Sequence, residues 1–268
     1  MDILIATLVV GLIGLLIGIA LMVAGRLLHV EVDEREAAVR SHLPGNNCGA
    51  CGYAGCDALA AAIVSGSAPA NACPICSADA HSAIGDIMGV SVSASKRRVA
   101  HIHCSGDCIK SPAKVDYVGI EDCRSAALAG LSPAACAYGC LGFGSCAKAC
   151  PQNAISMENG LAKVDPAACV GCGLCVAVCP HELISLVPTD VLSVRCSSHD
   201  KGPAVKKVCA AGCIGCTLCT KQCEYGAVTM DNNLARIDPE KCTGCGKCAE
   251  KCPVKVIVSA VPAKTKVS

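Results

Sequence analysis

Twenty-six of the 268 residues are cysteines, and most stand in groups whose spacing aims several thiolates at one centre. Cys213, Cys216, Cys219 and Cys223, then Cys242, Cys245, Cys248 and Cys252, spell C-x2-C-x2-C-x3-C twice. Cys48, Cys51, Cys56 and Cys73 form a looser group, C-x2-C-x4-C-x16-C. Disulfide scaffolds of such density are short, secreted and irregularly spaced in cysteine. Thiols two residues apart converge on shared metal far more readily than on distant disulfide partners. Clustered thiolates persist where the compartment is reducing, which places the bulk of the chain on the cytoplasmic side.

The doubled pattern is that of bacterial two-cluster ferredoxins, in which the fourth cysteine of each run ligates the other [4Fe–4S] cluster. One ligand set is then Cys213, Cys216, Cys219 and Cys252, and its neighbour is Cys242, Cys245, Cys248 and Cys223. An earlier copy carries Cys140, Cys146 and Cys150, then Cys169, Cys172, Cys175 and Cys179, but Phe143 stands where the later copy has Cys216. Cys136, four residues before Cys140, is the nearest replacement thiolate. The sets expected are Cys136, Cys140, Cys146 and Cys179, and Cys150, Cys169, Cys172 and Cys175. Cys48, Cys51, Cys56 and Cys73 also suit structural zinc; glycine beside the ligands, which opens backbone N–H groups to cluster sulfides, favours [4Fe–4S]. Five clusters are counted in this way. Cys76, Cys104, Cys108, Cys123, Cys196 and Cys209 remain, as free thiols or, for all but Cys76, as members of a further site.

Little else offers chemistry. A net charge of +1, with no basic stripe interleaved with aromatics, argues against nucleic-acid binding. Gly142-Phe143-Gly144 lacks the strand–turn–helix setting of a nucleotide fingerprint, so no NAD or flavin site and no catalytic residue is expected. The seven histidines are scattered and read as surface residues, as does the basic triplet Lys96, Arg97 and Arg98.

The elements that position these thiols follow from a repeat with a period of 73 residues. Nine cysteines from Cys123 to Cys179 align without a gap with nine from Cys196 to Cys252, as do Asp165-Pro166 with Asp238-Pro239 and Gly171 with Gly244. No Trp, one Phe and four Tyr leave the clusters themselves to serve as core. An alanine-rich helix over 57–65 separates Cys56 from Cys73, and a strand is expected near 99–103. Ahead of all this, Ile3 to Gly25 is uncharged and, at about 1.5 Å per helical residue, long enough for a hydrocarbon core of about 30 Å. The fold class is α+β: a transmembrane anchor (1–26), a four-cysteine [4Fe–4S] domain (27–100), a linking segment with ferredoxin-like module one (101–191), and module two (192–268).

The apolar N-terminal run, LPGNNCGACGYAGC with Cys73, and YGCLGFGSCAKACPQNAI leading into tandem ferredoxin motifs resemble the iron–sulfur B subunit of the Rnf complex in its longer form. That complex is a membrane-bound, ion-translocating ferredoxin:NAD oxidoreductase. The resemblance implies an enzyme component in the cytoplasmic membrane that accepts electrons from reduced ferredoxin and relays them to other membrane subunits, with NAD, flavin and ion chemistry elsewhere. The alternatives are a polyferredoxin-like membrane scaffold tethering another redox enzyme, and a zinc-rich interaction protein.

Overall fold

The computed structural model of the chain describes residues 2–27, 33–92, 96–130 and 132–261. Residues 28–32, expected in the four-cysteine domain, and 262–268, expected in module two, lie outside them. Helix α1, Asp2–Leu27, covers the apolar run. The membrane span expected of it is overturned: among the described residues, no helix is long and apolar enough to cross a membrane. The placement in the cytoplasmic membrane rested on that span and falls with it.

The four-cysteine domain is helical. Its helices are α2 (Glu34–His42), α3 (Cys56–Val64) and α4 (Ala78–Met88). Asp33 caps α2 by accepting the Arg35 N–H at 2.9 Å, and Ser77 caps α4 in the same way through Ala80. Val39, Leu59, Ile63 and Ile84 pack between the three helices, and Cys56 and Cys73 share their core. Helix α3 is the one expected from the sequence. Helix α4 follows Ser77 within the same expected domain.

Module one is assembled from β1 (Arg98–Ile102), α5 (Cys123–Leu128), α6 (Ser145–Lys148), β2 (Ile155–Glu158), β3 (Leu161–Val164), α7 (Leu174–Val178) and β4 (Ile184–Pro188). Module two contains β5 (Leu192–Val194), α8 (Gly202–Val208), α9 (Leu218–Gln222), β6 (Val228–Asp231), β7 (Leu234–Ile237), α10 (Lys247–Lys251) and β8 (Ile257–Ser259). Each module holds two antiparallel pairs. The central hairpins, β2–β3 and β6–β7, turn at Asn159-Gly160 and Asn232-Asn233, all four with positive φ, which matches the twist of the paired strands. The outer pairs are β1–β4, with Ile102 opposite Ile184, and β5–β8, with Val194 opposite Ile257. The strand expected near 99–103 is β1, which straddles the boundary expected at residue 100 and pairs within module one.

Of the surface expectations, that for the basic triplet holds and that for two of the histidines is corrected. Arg97 donates to the carbonyls of Pro166, Ala167 and Cys169 at 2.7–3.3 Å, Arg98 donates to the Leu186 carbonyl at 2.6 Å, and Lys96 pairs with Asp190. All three residues stay exposed, while Arg97 reaches the backbone of the Cys169 loop and Arg98 that of β4. His81 and His101 are buried, because one lies on the inner face of α4 and the other in the paired strand β1.

Candidate metal centres

All 26 cysteines are free thiols. Four separate cavities of the ferredoxin-like modules are each lined by four of them. Cys150, Cys169, Cys172 and Cys175, one set expected from the spacing, line one, and Cys213, Cys216, Cys219 and Cys252, another such set, line a second. Cys223 and Cys242 pack against the core that contains Cys248, while Cys245 is exposed at its rim. In the first domain Cys51 packs against the core of Cys56 and Cys73, and Cys48 is half-buried.

The exception is the set expected to contain Cys136. Cys140, Cys146 and Cys179 do line one cavity, but the fourth thiol there is Cys123. Local geometry accounts for this. Asp122 caps α5 and accepts the Ser145 hydroxyl at 2.8 Å, and Ser145 accepts the Cys123 N–H at 2.9 Å, so the start of α5 is held against α6 and Cys146. Phe143 packs on Tyr117, ring centroids 4.7 Å apart, in the small core of Cys123, Ala126 and Leu141. The aromatic ring that displaced one cysteine therefore helps seat the element that carries its substitute. Cys136 lies instead in a different cavity, with Cys104, Cys196 and Cys209.

The surroundings fit iron–sulfur clusters better than single ions. Four thiolates on one zinc ion stand about 3.8 Å apart for Zn–S bonds of about 2.3 Å. Among the described residues, no group of three or more His, Cys, Asp or Glu converges that closely. A cube with an iron at each bound corner spreads its thiolates wider, as four cysteines around one cavity are spread here. Backbone N–H groups already aim at several sulfurs: Ala154 at Cys150, Leu183 at Cys179 and Ala227 at Cys223, each 3.3–3.4 Å away. Such N–H···S bonds are the usual means by which a protein tunes cluster potential.

Electrostatics says when these thiols can bind. Burial pushes Cys146 up to about 12, and the charges of Cys140, Cys123 and Cys179 add to it. Burial likewise raises Cys175 and Cys248 to about 11. These thiols are therefore neutral until metal arrives, and iron must displace protons to bind, so acid opposes loading. Cys73 is the opposite case: it is lowered to about 6, chiefly because the Cys76 thiol donates a hydrogen bond to it. Cys172 is raised by burial and, among nearby charges, by Cys48, which brings the four-cysteine domain to the edge of module one.

Known proteins are similar to this chain in sequence. The FeS family model, for an Fe-S cluster domain, matches residues 43–75, and two 4Fe-4S dicluster domain models match residues 136–186 and 212–256. The B subunit of the Na(+)-translocating ferredoxin:NAD(+) oxidoreductase complex of Acetobacterium woodii is 43% identical over 251 residues, 93% of this chain and 75% of that protein. The B subunit of the proton-translocating ferredoxin:NAD(+) oxidoreductase complex of Clostridium ljungdahlii is 44% identical over 94% of this chain and 91% of its own length. This chain belongs to the family of Rnf B subunits. The B subunit of the ion-translocating oxidoreductase complex of Methanosarcina acetivorans, another member, is 41% identical over 91% of this chain and 94% of its own length. As an Rnf B subunit, the chain has [4Fe–4S] domains as its chemical equipment, and no further catalytic apparatus is needed to account for its cysteines.

Proposed function

We propose that this chain is the electron-relay component of an ion-translocating ferredoxin:NAD oxidoreductase complex, carrying electrons from reduced ferredoxin toward the other subunits. The observation that carries this reading is the series of four-cysteine cavities in a chain of this family. Bound [4Fe–4S] clusters would supply reversible uptake of single electrons. The ligand sets are Cys48, Cys51, Cys56 and Cys73; Cys123, Cys140, Cys146 and Cys179; Cys150, Cys169, Cys172 and Cys175; Cys213, Cys216, Cys219 and Cys252; and Cys223, Cys242, Cys245 and Cys248. The chain's part is to hold these thiolates, shield them in small apolar cores and direct N–H groups at their sulfurs.

Reduced ferredoxin is the donor, and module two is where it docks. Cys216 and Cys245 are exposed, so the ligand sets of this module reach the surface. Lys201, Lys206, Lys207 and Lys221 are exposed on α8, α9 and the turn before α8. Ferredoxins are typically acidic, and opposite charges speed encounter over a range of about 10 Å at 0.1 M salt. Each encounter passes one electron, oxidising the donor and reducing the receiving site.

The test is stopped-flow bleaching of the anaerobically loaded chain by reduced ferredoxin over a salt series. The parent should bleach rapidly, and replacement of the four lysines by glutamate should slow it about tenfold or more at low salt, converging with the parent at high salt. Equal rates at every salt would move the docking site elsewhere. A loaded chain that dithionite bleaches but ferredoxin does not would overturn the relay itself.

A further inference from the structure

The gapless repeat pairs Cys196 with Cys123, but the two modules superimpose differently. Val194 faces Ile257 as Ile102 faces Ile184, so Cys196, two residues beyond β5, corresponds to Cys104, two residues beyond β1. Three close contacts keep the same correspondence. A Cβ on Gly171 would meet the Arg98 carbonyl oxygen at 2.5 Å, and one on Gly244 would meet that of Asp190 at 2.5 Å. His103 N–H bonds the Leu183 carbonyl at 2.7 Å as Arg195 N–H bonds that of Val256 at 2.8 Å. The Cys140 N–H donates to the Cys104 sulfur, as the Cys213 N–H does to Cys196 at 3.3 Å. The first strands are thus 92 positions apart and the rest 73. Module one contains an insertion of 19 residues that carries Cys108 and ends near Cys123.

This correspondence gives each module two thiols that its own clusters do not use: Cys104 and Cys136 in one, Cys196 and Cys209 in the other. All four line a single cavity where the modules meet. Its walls are already built. Ser111 Oγ–H donates to the Val208 carbonyl at 2.9 Å, Ala210 N–H to that of Lys110 at 2.8 Å, and Ser197 Oγ–H to that of His103 at 3.0 Å. Gly106 leaves its wall bare: a Cβ there would lie 3.2 Å from Cys209 Sγ.

We infer that Cys104, Cys136, Cys196 and Cys209 hold a further [4Fe–4S] cluster, shared between the two ferredoxin-like modules. The site rests on the relay reading above and completes it. Cys140 and Cys213, each a ligand of its own module's set, direct their N–H groups at sulfurs of this one, so it stands between the modules and gives single electrons a path from one to the other. Twenty-four of the 26 cysteines are then ligands, with Cys76 and Cys108 left over.

Native mass spectrometry of the anaerobically loaded chain tests this directly. The unmodified protein should reach a top state of roughly 24 irons and 24 sulfides, four of each per cluster. The Cys104→Ser/Cys209→Ser chain should stop at roughly 20, and Cys108→Ser should match the parent. A parent that stops at roughly 20, or that takes one zinc ion in place of the last cluster, would overturn the inference while leaving the relay reading intact. A parent that loads few or no cubes would fail the relay reading itself.

Discussion

Cys123→Ser and Cys136→Ser are each expected to lose about four irons, and the double variant about eight. Cys123 shares its cavity with Cys140, Cys146 and Cys179, whereas Cys136 shares another with thiols from both modules. Were the two cysteines alternative ligands of one cluster, as their nearness to Cys140 in the sequence suggests, the double variant would lose only four. Iron and acid-labile sulfide counts on the three variants, with integration of the reduced-state electron paramagnetic resonance signal, decide the matter. A double variant no poorer in iron than either single one would return both cysteines to a single site. Removal of one thiolate also leaves three buried partners without metal; Cys146, raised to about 12, would revert to neutral thiol, so rescue by the oxygen of serine is not expected.

Gly171→Ala and Gly244→Ala should be the most damaging single-methyl changes in the modules. Both glycines lie between the first two cysteines of a C-x2-C loop, at φ +71° and +72°, and each added Cβ would meet a backbone oxygen at 2.5 Å. The left-handed conformation costs a non-glycine residue about 1–2 kcal/mol, and a collision with backbone that cannot swing away adds about 1–3 kcal/mol. A loss of about 2–5 kcal/mol in the stability of the loaded module follows from the sum. Gly246→Ala is the control: its φ of +83° carries the conformational cost, but nothing lies within 4 Å of the new methyl group. Chemical denaturation under anaerobic conditions, followed by cluster absorbance, should rank Gly246→Ala well above the other two. Equal stability across the three would mean that β1 and β5 do not press on the cysteine loops as described.

What the sequence makes legible is what has cause and consequence close together in the chain. C-x2-C spacing brings thiolates together whatever the rest of the fold does, so Cys169, Cys172 and Cys175 line one cavity and Cys213, Cys216 and Cys219 another. The alanine-rich helix after Cys56 and the strand near Val99 are equally local.

Where several stretches compete for one position, the sequence by itself did not decide. It determined that the chain carries cysteine-bound [4Fe–4S] domains in a repeated module and that Phe143 leaves one set a thiolate short. Nearness in sequence favoured Cys136, but the hydrogen bonds from Asp122 through Ser145 hold Cys123 against the gap. A gapless alignment likewise hid the equivalence of Cys104 and Cys196, because strand pairing, not residue count, sets the register once an insertion lies between strand and loop. Charge alone put Arg97 at the surface, where it lies, but not its hydrogen bonds to three carbonyls of the Cys169 loop. Each of these was decided by the tertiary structure, for one physical reason: a ligand set closed by residues far apart in the chain depends on which backbone segments pair, and pairing is a property of the whole module.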